Sequence, residues 1–239
     1  MAPIDENGCL WRFFPQTSQW SQVSPASPEG LVPAARSYHT MTSDNRQTLF
    51  VHAGCPEKGR LSDLWAFDIE QRAWKQLADA PAPARGGTSI AYCDGKLYRM
   101  NGFDGNKEQG GSLDVYDIKE NRWETITYEA DGESGPEARS VSALLALKVG
   151  GREVLVTLFG ERDPSALGHA GAGKMLSDAW VFDLGRKRWS KLEGVGEAPQ
   201  ARGWFDASVW EDGIVVHGGL AEDNGRLGDV WLGRIEVVE

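Results

Sequence analysis

Cysteine is scarce: Cys9, Cys55 and Cys93 are odd in number, widely spaced and in no C-x-x-C arrangement. That excludes a disulfide framework and a structural zinc site, and the expectation is three reduced, mostly buried thiols. Basic residues are in deficit, 25 Lys and Arg against 35 Asp and Glu, for a net charge of -10 and a pI near 5.0. With no basic stripe to offset it, such a chain repels a phosphate backbone, and nucleic acid is not an expected partner. Long hydrophobic runs are missing as well. The longest, such as Val154 to Phe159, are broken by glycine or charge, well short of the ~20 residues that cross a bilayer, so no membrane span is expected. Met1 to Cys9 carries Asp5 and Glu6 and no basic-then-apolar stretch, which does not support a secretory or transit segment; the expected compartment is the cytosol. Sustained helical periodicity is absent throughout.

Glycine and tryptophan are plentiful instead, 29 and 10 in 239 residues, which directs attention to internal repeats. At 41% hydrophobic and 25% charged, a chain of this length buries roughly 70–75% of its unfolded surface. One segment type reads Phe67-Asp68 to Trp74, Tyr116-Asp117 to Trp123 and Phe182-Asp183 to Trp189, with a degenerate copy from Phe13 to Trp20; an aromatic precedes Trp by seven each time. A second closes an apolar run with glycine, at Gly54, Gly102, Gly160 and Gly219. A third is Ala-Arg at Arg36, Arg85, Arg139 and Arg202, with proline two or three residues ahead of the arginine. The types recur in fixed order. Arginine-to-arginine steps are 49, 54 and 63 residues and glycine steps 48, 58 and 59, a period near 50 built from short β-type runs, as in the four-stranded blade of a propeller.

On these residues the chain resembles the kelch-repeat proteins, whose units start near a proline and arginine, carry Gly-Gly after the second strand, and end with an aromatic-Asp and a Trp. Gly218-Gly219 keeps the doublet, while Ala53-Gly54, Asn101-Gly102 and Phe159-Gly160 keep its second glycine. The resemblance implies an all-β, kelch-type propeller of four-stranded antiparallel blades: a partial blade over 1–33, blades over 34–83, 84–137 and 138–200, and a partial blade over 201–239. In each, the arginine opens strand A, the glycine closes B, the aromatic-Asp lies in C and the Trp starts D. Trp20, Trp74, Trp123 and Trp189 are expected to wedge between blades. About 17 strands result, an incomplete propeller lacking the first blade and a half of a six-bladed relative, with Met1 at the place of an internal methionine.

The D-to-A and B-to-C loops share one face in this arrangement, and strand A is innermost. Arg36, Arg85, Arg139 and Arg202 are therefore expected around the mouth of the central channel, where four guanidinium groups suit a carboxylate, sulfate or phosphate group, with His39 pointing the same way. The other reading of the arginines is structural, each pairing with carboxylates or carbonyls of a neighbouring blade. The longest loop, from Glu161 to Lys174, concentrates Glu161, Asp163 and His169, which suit Fe(II), Mn(II) or Zn(II) if they converge, and acidic surface loops with one histidine are also common without a metal. This loop is similar to that of the nitrile-specifier and thiocyanate-forming kelch proteins. That likeness implies an iron(II) site on a Glu, Asp and His spaced by three residues, and a reaction on sulfate-bearing glucosinolate aglycones. Glu161 and His169 match the outer positions, and Ser165 stands where the family has Asp.

Gly168 to Lys174 mimics a phosphate-binding P-loop, but Met175 replaces the Ser or Thr that would hold magnesium and no helix pattern follows, so nucleotide is not an expected ligand. Copper-radical chemistry on this scaffold needs two histidine ligands, whereas His52 and His217 sit at matching repeat phase in B strands. Two readings of function remain. The first is a kelch module binding a protein partner or small anionic molecule on its loop face. The second is an Fe(II)-dependent, specifier-like lyase or isomerase acting on a small sulfur-containing anion.

Overall fold

The structure is a computed structural model describing residues 3–27, 29–166 and 171–236. Its first sheet is a hairpin of β1 (Leu10–Phe14) and β2 (Gln19–Val23). The second blade runs β3 (Thr40–Ser43), β4 (Thr48–Gly54), β5 (Leu61–Asp68), β6 (Ala73–Leu77), and the third β7 (Ser89–Cys93), β8 (Lys96–Met100), β9 (Ser112–Asp117), β10 (Arg122–Thr127). The fourth holds β11 (Ala143–Val149), β12 (Arg152–Leu158), β15 (Ala179–Asp183) and β16 (Arg188–Lys191). Its long loop carries the small hairpin of β13 (Glu161–Arg162) and β14 (Lys174–Met175). The fifth has three strands, β17 (Asp206–Trp210), β18 (Gly213–Leu220) and β19 (Arg226–Arg234). Among the described residues the blades thus contain 17 strands, all paired antiparallel, the architecture the repeat predicts. No helix among the described residues is long and apolar enough to cross a membrane.

Strands β3, β7, β11 and β17 lie side by side and line one channel of about 590 Å³. The cores form between blades rather than within them. Leu64 and Ala66 of the second blade pack on Tyr116 and Trp123 of the third, Leu113 and Val115 of the third on Trp180 and Phe182 of the fourth, and Ala179 and Val181 of the fourth on Trp231 of the fifth. Strand alternation produces this, since successive side chains of one strand serve opposite neighbours.

The seven-residue spacing of aromatic and Trp is a register effect. Phe67 faces Trp74, Tyr116 faces Trp123 and Phe182 faces Trp189 across the turn, with ring centroids 4.9, 5.0 and 5.0 Å apart. The Asp after each aromatic holds the turn by accepting N–H bonds from residues two or three ahead, as Asp183 does from Gly185 and Arg186 at 2.9 and 2.8 Å. Trp74 and Trp123 reach the preceding element with their indole N–H, donating to the carbonyls of Gly8 and Ala78 at 2.7 and 2.8 Å. Trp20 differs from these wedges and is exposed.

The weakened glycine doublet also has a physical reason. Its first position has φ near +60°, which Ala53, Asn101 and Phe159 adopt in place of glycine. The second is far more restrictive: Gly160 has φ +111°, and a Cβ there would stand 2.8 Å from the Ser140 carbonyl oxygen. Only the second glycine is indispensable to this geometry.

The arginines correct the expectation of a ring at the channel mouth. Each guanidinium turns into its own blade and is almost wholly buried. Nε donates to the carbonyl two residues back, and Nη1 to the carbonyl just before the recurring glycine position, at 3.1 Å for Arg36, Arg85 and Arg139 and 2.8 Å for Arg202. In three blades a bidentate ion pair follows, Arg36 with Asp63, Arg139 with Asp178 and Arg202 with Asp229, at 2.6 to 2.9 Å. The same carboxylates accept the indole N–H of Trp65, Trp180 and Trp231. The structural reading of the arginines is therefore the one realised, with partners in the same blade rather than the next. His39 is likewise absent from the channel-lining residues.

The third blade departs from the pattern. Ser112 occupies the Asp position, and the Val51 and Trp65 pair of the second blade becomes Arg99 opposite Asp114. This pair is buried with Nε and Oδ2 3.5 Å apart, and Arg99 also donates to the carbonyls of Pro81 and Pro83.

Burial alone would raise the Asp178 carboxyl, but the hydrogen bonds and charge of Arg139, with Trp180, bring it below the ordinary carboxylate range. Asp178→Ala strands a fully buried guanidinium and is expected to cost about 3–5 kcal/mol. Urea unfolding measures this, and Asp178→Asn, which keeps an acceptor, is expected to lose less.

Candidate functional site

The second residue after each arginine, Tyr38, Gly87, Val141 and Trp204, has φ of +53, +60, +47 and +61°. This left-handed kink lets the four segments join in a chain. The Gly87 N–H donates to the Tyr38 carbonyl, Val141 to Gly87 and Trp204 to Val141, at 2.9, 2.8 and 3.1 Å. The kinks throw the side chains of Tyr38 and Trp204 together edge to face, with centroids 5.3 Å apart, although they belong to the second and fifth blades. On the loop face this produces a cavity of about 200 Å³ drawing on four blades.

Its walls are apolar, from Tyr38, Phe103, Val141 and Trp204, and its ionisable groups are Arg60, Glu108, Glu161 and the Cys55 thiol. Arg60 lies over the Phe103 ring at 5.9 Å and donates to the Gly59 carbonyl. Cys55 is free, and burial raises its pKa against a lowering by Arg60, so the thiol stays protonated at neutral pH. Among the described residues, Glu108 Oε1 is buried without a hydrogen-bond partner. Burial, with the charges of Glu161, Asp163 and Asp104 added, pushes the Glu108 carboxyl up to about 7.

Of the residues expected to hold a metal, Glu161 is buried in this cavity, where its Oε1 accepts the Gly173 N–H at 2.6 Å. Ser165 lines the same cavity. Asp163 does not join them: its side chain is 76% exposed and lies 3.5 Å from Arg162 Nε. His169 lies outside the described residues. Among the described residues no three His, Cys, Asp or Glu side chains come close enough to share a metal ion. The described part of the loop thus brings Glu161 and Ser165 into one cavity, with one Glu161 oxygen engaged by a backbone N–H, and leaves Asp163 turned to solvent.

Arg60, Phe103 and Glu108 come from B-to-C loops and carry no repeated signature, which is why sequence reasoning passed over them. Tyr38 and Trp204 were detectable. Aligned on the arginines, the second following position is aromatic in the second and fifth blades and smaller, Gly87 and Val141, in the third and fourth.

Residues 5–160 match the kelch-repeat family described as the KLHDC2/KLHL20/DRC7 Kelch-repeats domain. Over 90% of its length the chain is 27% identical to an N-(sulfonatooxy)prop-2-enimidothioate sulfolyase of Thlaspi arvense, and over 90% it is 23% identical to Leucine-zipper-like transcriptional regulator 1 of Mus musculus. It spans 66% of the first and 31% of the second. The solved structure of YjhT superposes with a TM-score of 0.72 at 14% identity, covering 95% of this chain and 73% of that one, and shares the fold.

A carboxyl raised from 4.5 to about 7 keeps its proton in the fold across that window. The cost of ionising Glu108 is thus absent below about pH 4.5 and complete above pH 7. Glu108→Gln removes the cost and is expected to stabilise the protein at pH 8 by about 1 kcal/mol, allowing for partial exposure, with no gain at pH 4.5. Thermal unfolding of both proteins at the two pH values checks this.

Proposed function

Because the chain belongs to the kelch-repeat family, we propose that it is a recognition propeller whose loop-face cavity takes a small molecule, or a side chain of a partner protein, with an apolar body and a cationic or hydrogen-bond-donating head. One observation carries this reading: the buried Glu108 oxygen, without a partner among the described residues, beside Glu161 in an aromatic-walled cavity. A donor on the ligand would satisfy that oxygen, and an ammonium or guanidinium would be held by two carboxylates in a partly desolvated site. Trp204, Tyr38 and Phe103 supply flat apolar area and, for a cation, ring faces. The anionic ligand favoured by the sequence is less well served, because Arg36, Arg139 and Arg202 already hold carboxylates of their own blades.

Fragment screening by ligand-observed NMR tests the reading. Amines and amides are expected to bind in preference to carboxylates of the same carbon skeleton. Glu108→Gln should weaken the amines by about tenfold, the loss of one charge-assisted hydrogen bond, and Trp204→Ala should weaken both classes. Hits confined to carboxylates, or indifferent to both substitutions, overturn it.

A second reading, an Fe(II)-dependent lyase or isomerase acting on a small sulfur-containing anion, draws support from the likeness to the Thlaspi arvense sulfolyase and from Glu161 and Ser165 meeting in one cavity. Metal analysis of protein purified anaerobically without chelator separates the two. Recognition alone predicts no stoichiometric iron, even after loading with Fe(II). Iron retained by the parent and lost in Glu161→Ala favours the lyase.

A further inference from the structure

Basic residues are scattered singly through this acidic chain, and no two are adjacent except in one run, Arg186-Lys187-Arg188. The run fills the turn between β15 and β16 of the fourth blade, and Trp189 and Ser190 follow it. Arg186, Lys187, Arg188 and Ser190 are exposed, whereas Trp189 is buried. Alternation along β16 sends the Trp into the core and puts Arg188 and Ser190 together on the other face. Among the described residues β16 pairs only with β15, so its outer backbone edge is open, and the loop beyond it is exposed from 193 to 198.

The surroundings of Ser190 hold more positive than negative charge. Arg188 stands opposite Asp183 in the β15–β16 register, and Arg152, from the turn between β11 and β12, donates to the same carboxylate at 3.2 Å. Arg186 Nε lies 3.9 Å from it. The other oxygen of Asp183 already accepts the N–H groups of Gly185 and Arg186. These three arginines and Asp183, with Ser190 and Glu236, line a cleft of about 240 Å³.

The third blade shows what suits this position. Aligned on Trp123 and Trp189, Arg122 takes the place of Arg188 and Glu124 that of Ser190, and Arg122 Nη2 donates to Glu124 Oε1 at 2.7 Å. In the fourth blade the arginine is kept and the anion is replaced by a hydroxyl. Glu124 is exposed with a complete four-stranded blade after it, and so is Lys75 at the same phase of the second blade. The accessibility of Ser190 is therefore a property of the position in the blade, whatever follows it.

We propose that Ser190 is a phosphorylation site, modified by a protein kinase directed to basic residues, and that Arg188 and Arg152 receive the phosphate as Arg122 receives Glu124. Such kinases select substrates by charge pattern, here Lys187 and Arg188 three and two residues ahead of the serine in an open edge strand. In the step, Ser190 Oγ bonds to the γ-phosphorus of ATP held by the kinase, the bond from that phosphorus to the ADP oxygen breaks, and the hydroxyl proton passes to the kinase's base. The product adds about −1.5 to −2 charges at neutral pH and offers its oxygens to the guanidinium groups already gathered there.

The test uses a panel of basophilic kinases with ATP, the folded chain, and a synthetic peptide of residues 184–193 as a control, with mass spectrometry to locate the phosphate. A kinase that modifies the peptide is expected to place one phosphate on the folded chain, at Ser190, and none on Ser190→Ala. Phosphorus NMR then follows the second ionisation of the phosphate, near pH 6 for free phosphoserine. In the folded chain its midpoint is expected about half a pH unit below that of the phosphopeptide, drawn down by the arginines. Arg152→Gln, a change outside the peptide and at an exposed position, should leave phosphorylation intact and move the midpoint back toward the peptide's, with circular dichroism confirming the fold. A peptide that no kinase of the panel modifies, a folded chain refused by kinases that accept the peptide, or phosphate placed only on other residues overturns the site. A midpoint equal to the peptide's, or unmoved by Arg152→Gln, overturns the receiving arginines.

Discussion

The fold depends on one arginine per blade and the two directions in which it is bonded. Its side chain reaches inward through its own blade, tying the start of strand A to the turn that ends strand B and, in three blades, to a carboxylate on strand C. Its carbonyl reaches outward and accepts the N–H of the preceding blade's glycine, Gly54 to Arg85, Gly102 to Arg139 and Gly160 to Arg202, at 2.8 to 3.0 Å. A guanidinium in a dry interior is costly unless its donors are occupied. Here carbonyls and carboxylates occupy them, and the burial that would penalise an isolated charge instead fixes the spacing of three strands. Where the third blade loses its carboxylate to Ser112, a second buried charge pair, Arg99 and Asp114, stands on the neighbouring strands.

The architecture was legible because it is periodic. Aromatic, Asp and Trp recur at a spacing that is the register of a hairpin, and glycine recurs where a backbone oxygen stands 2.7 to 3.1 Å from a would-be side chain. The same periodicity misled over the arginines. Recurrence at the start of the innermost strand says that Arg36, Arg85, Arg139 and Arg202 are equivalent, but not whether they face the channel or the blade. The deciding partners, Asp63, Asp178 and Asp229, are also periodic, two residues before a Trp of strand C, and reading both series together would have joined them.

The cavity was hidden for the opposite reason. Glu108, Arg60 and Phe103 are non-repeating loop residues brought together only when the blades stand side by side, and the Glu161 neighbourhood depends on how a 14-residue loop turns back through Gly173. The scaffold and the site are in this sense written in different parts of each repeat. Strand ends and turns repeat because every blade faces the same mechanical problem, whereas loop residues vary because together they surround a single space.

The hydrogen bonds from glycine to arginine join only successive blades. Cooperativity in such a series is a nearest-neighbour property, and the third and fourth blades, each enclosed by complete sheets or large cores on both sides, occupy its middle. Local opening free energies therefore rise inward from β1 and β19, so amide exchange would report a gradient across one domain, slowest near Leu97 and Leu155 in the buried B strands. A ligand at the loop-face mouth, touching the second, third, fourth and fifth blades at once, would flatten that gradient, since it binds only when all four are closed.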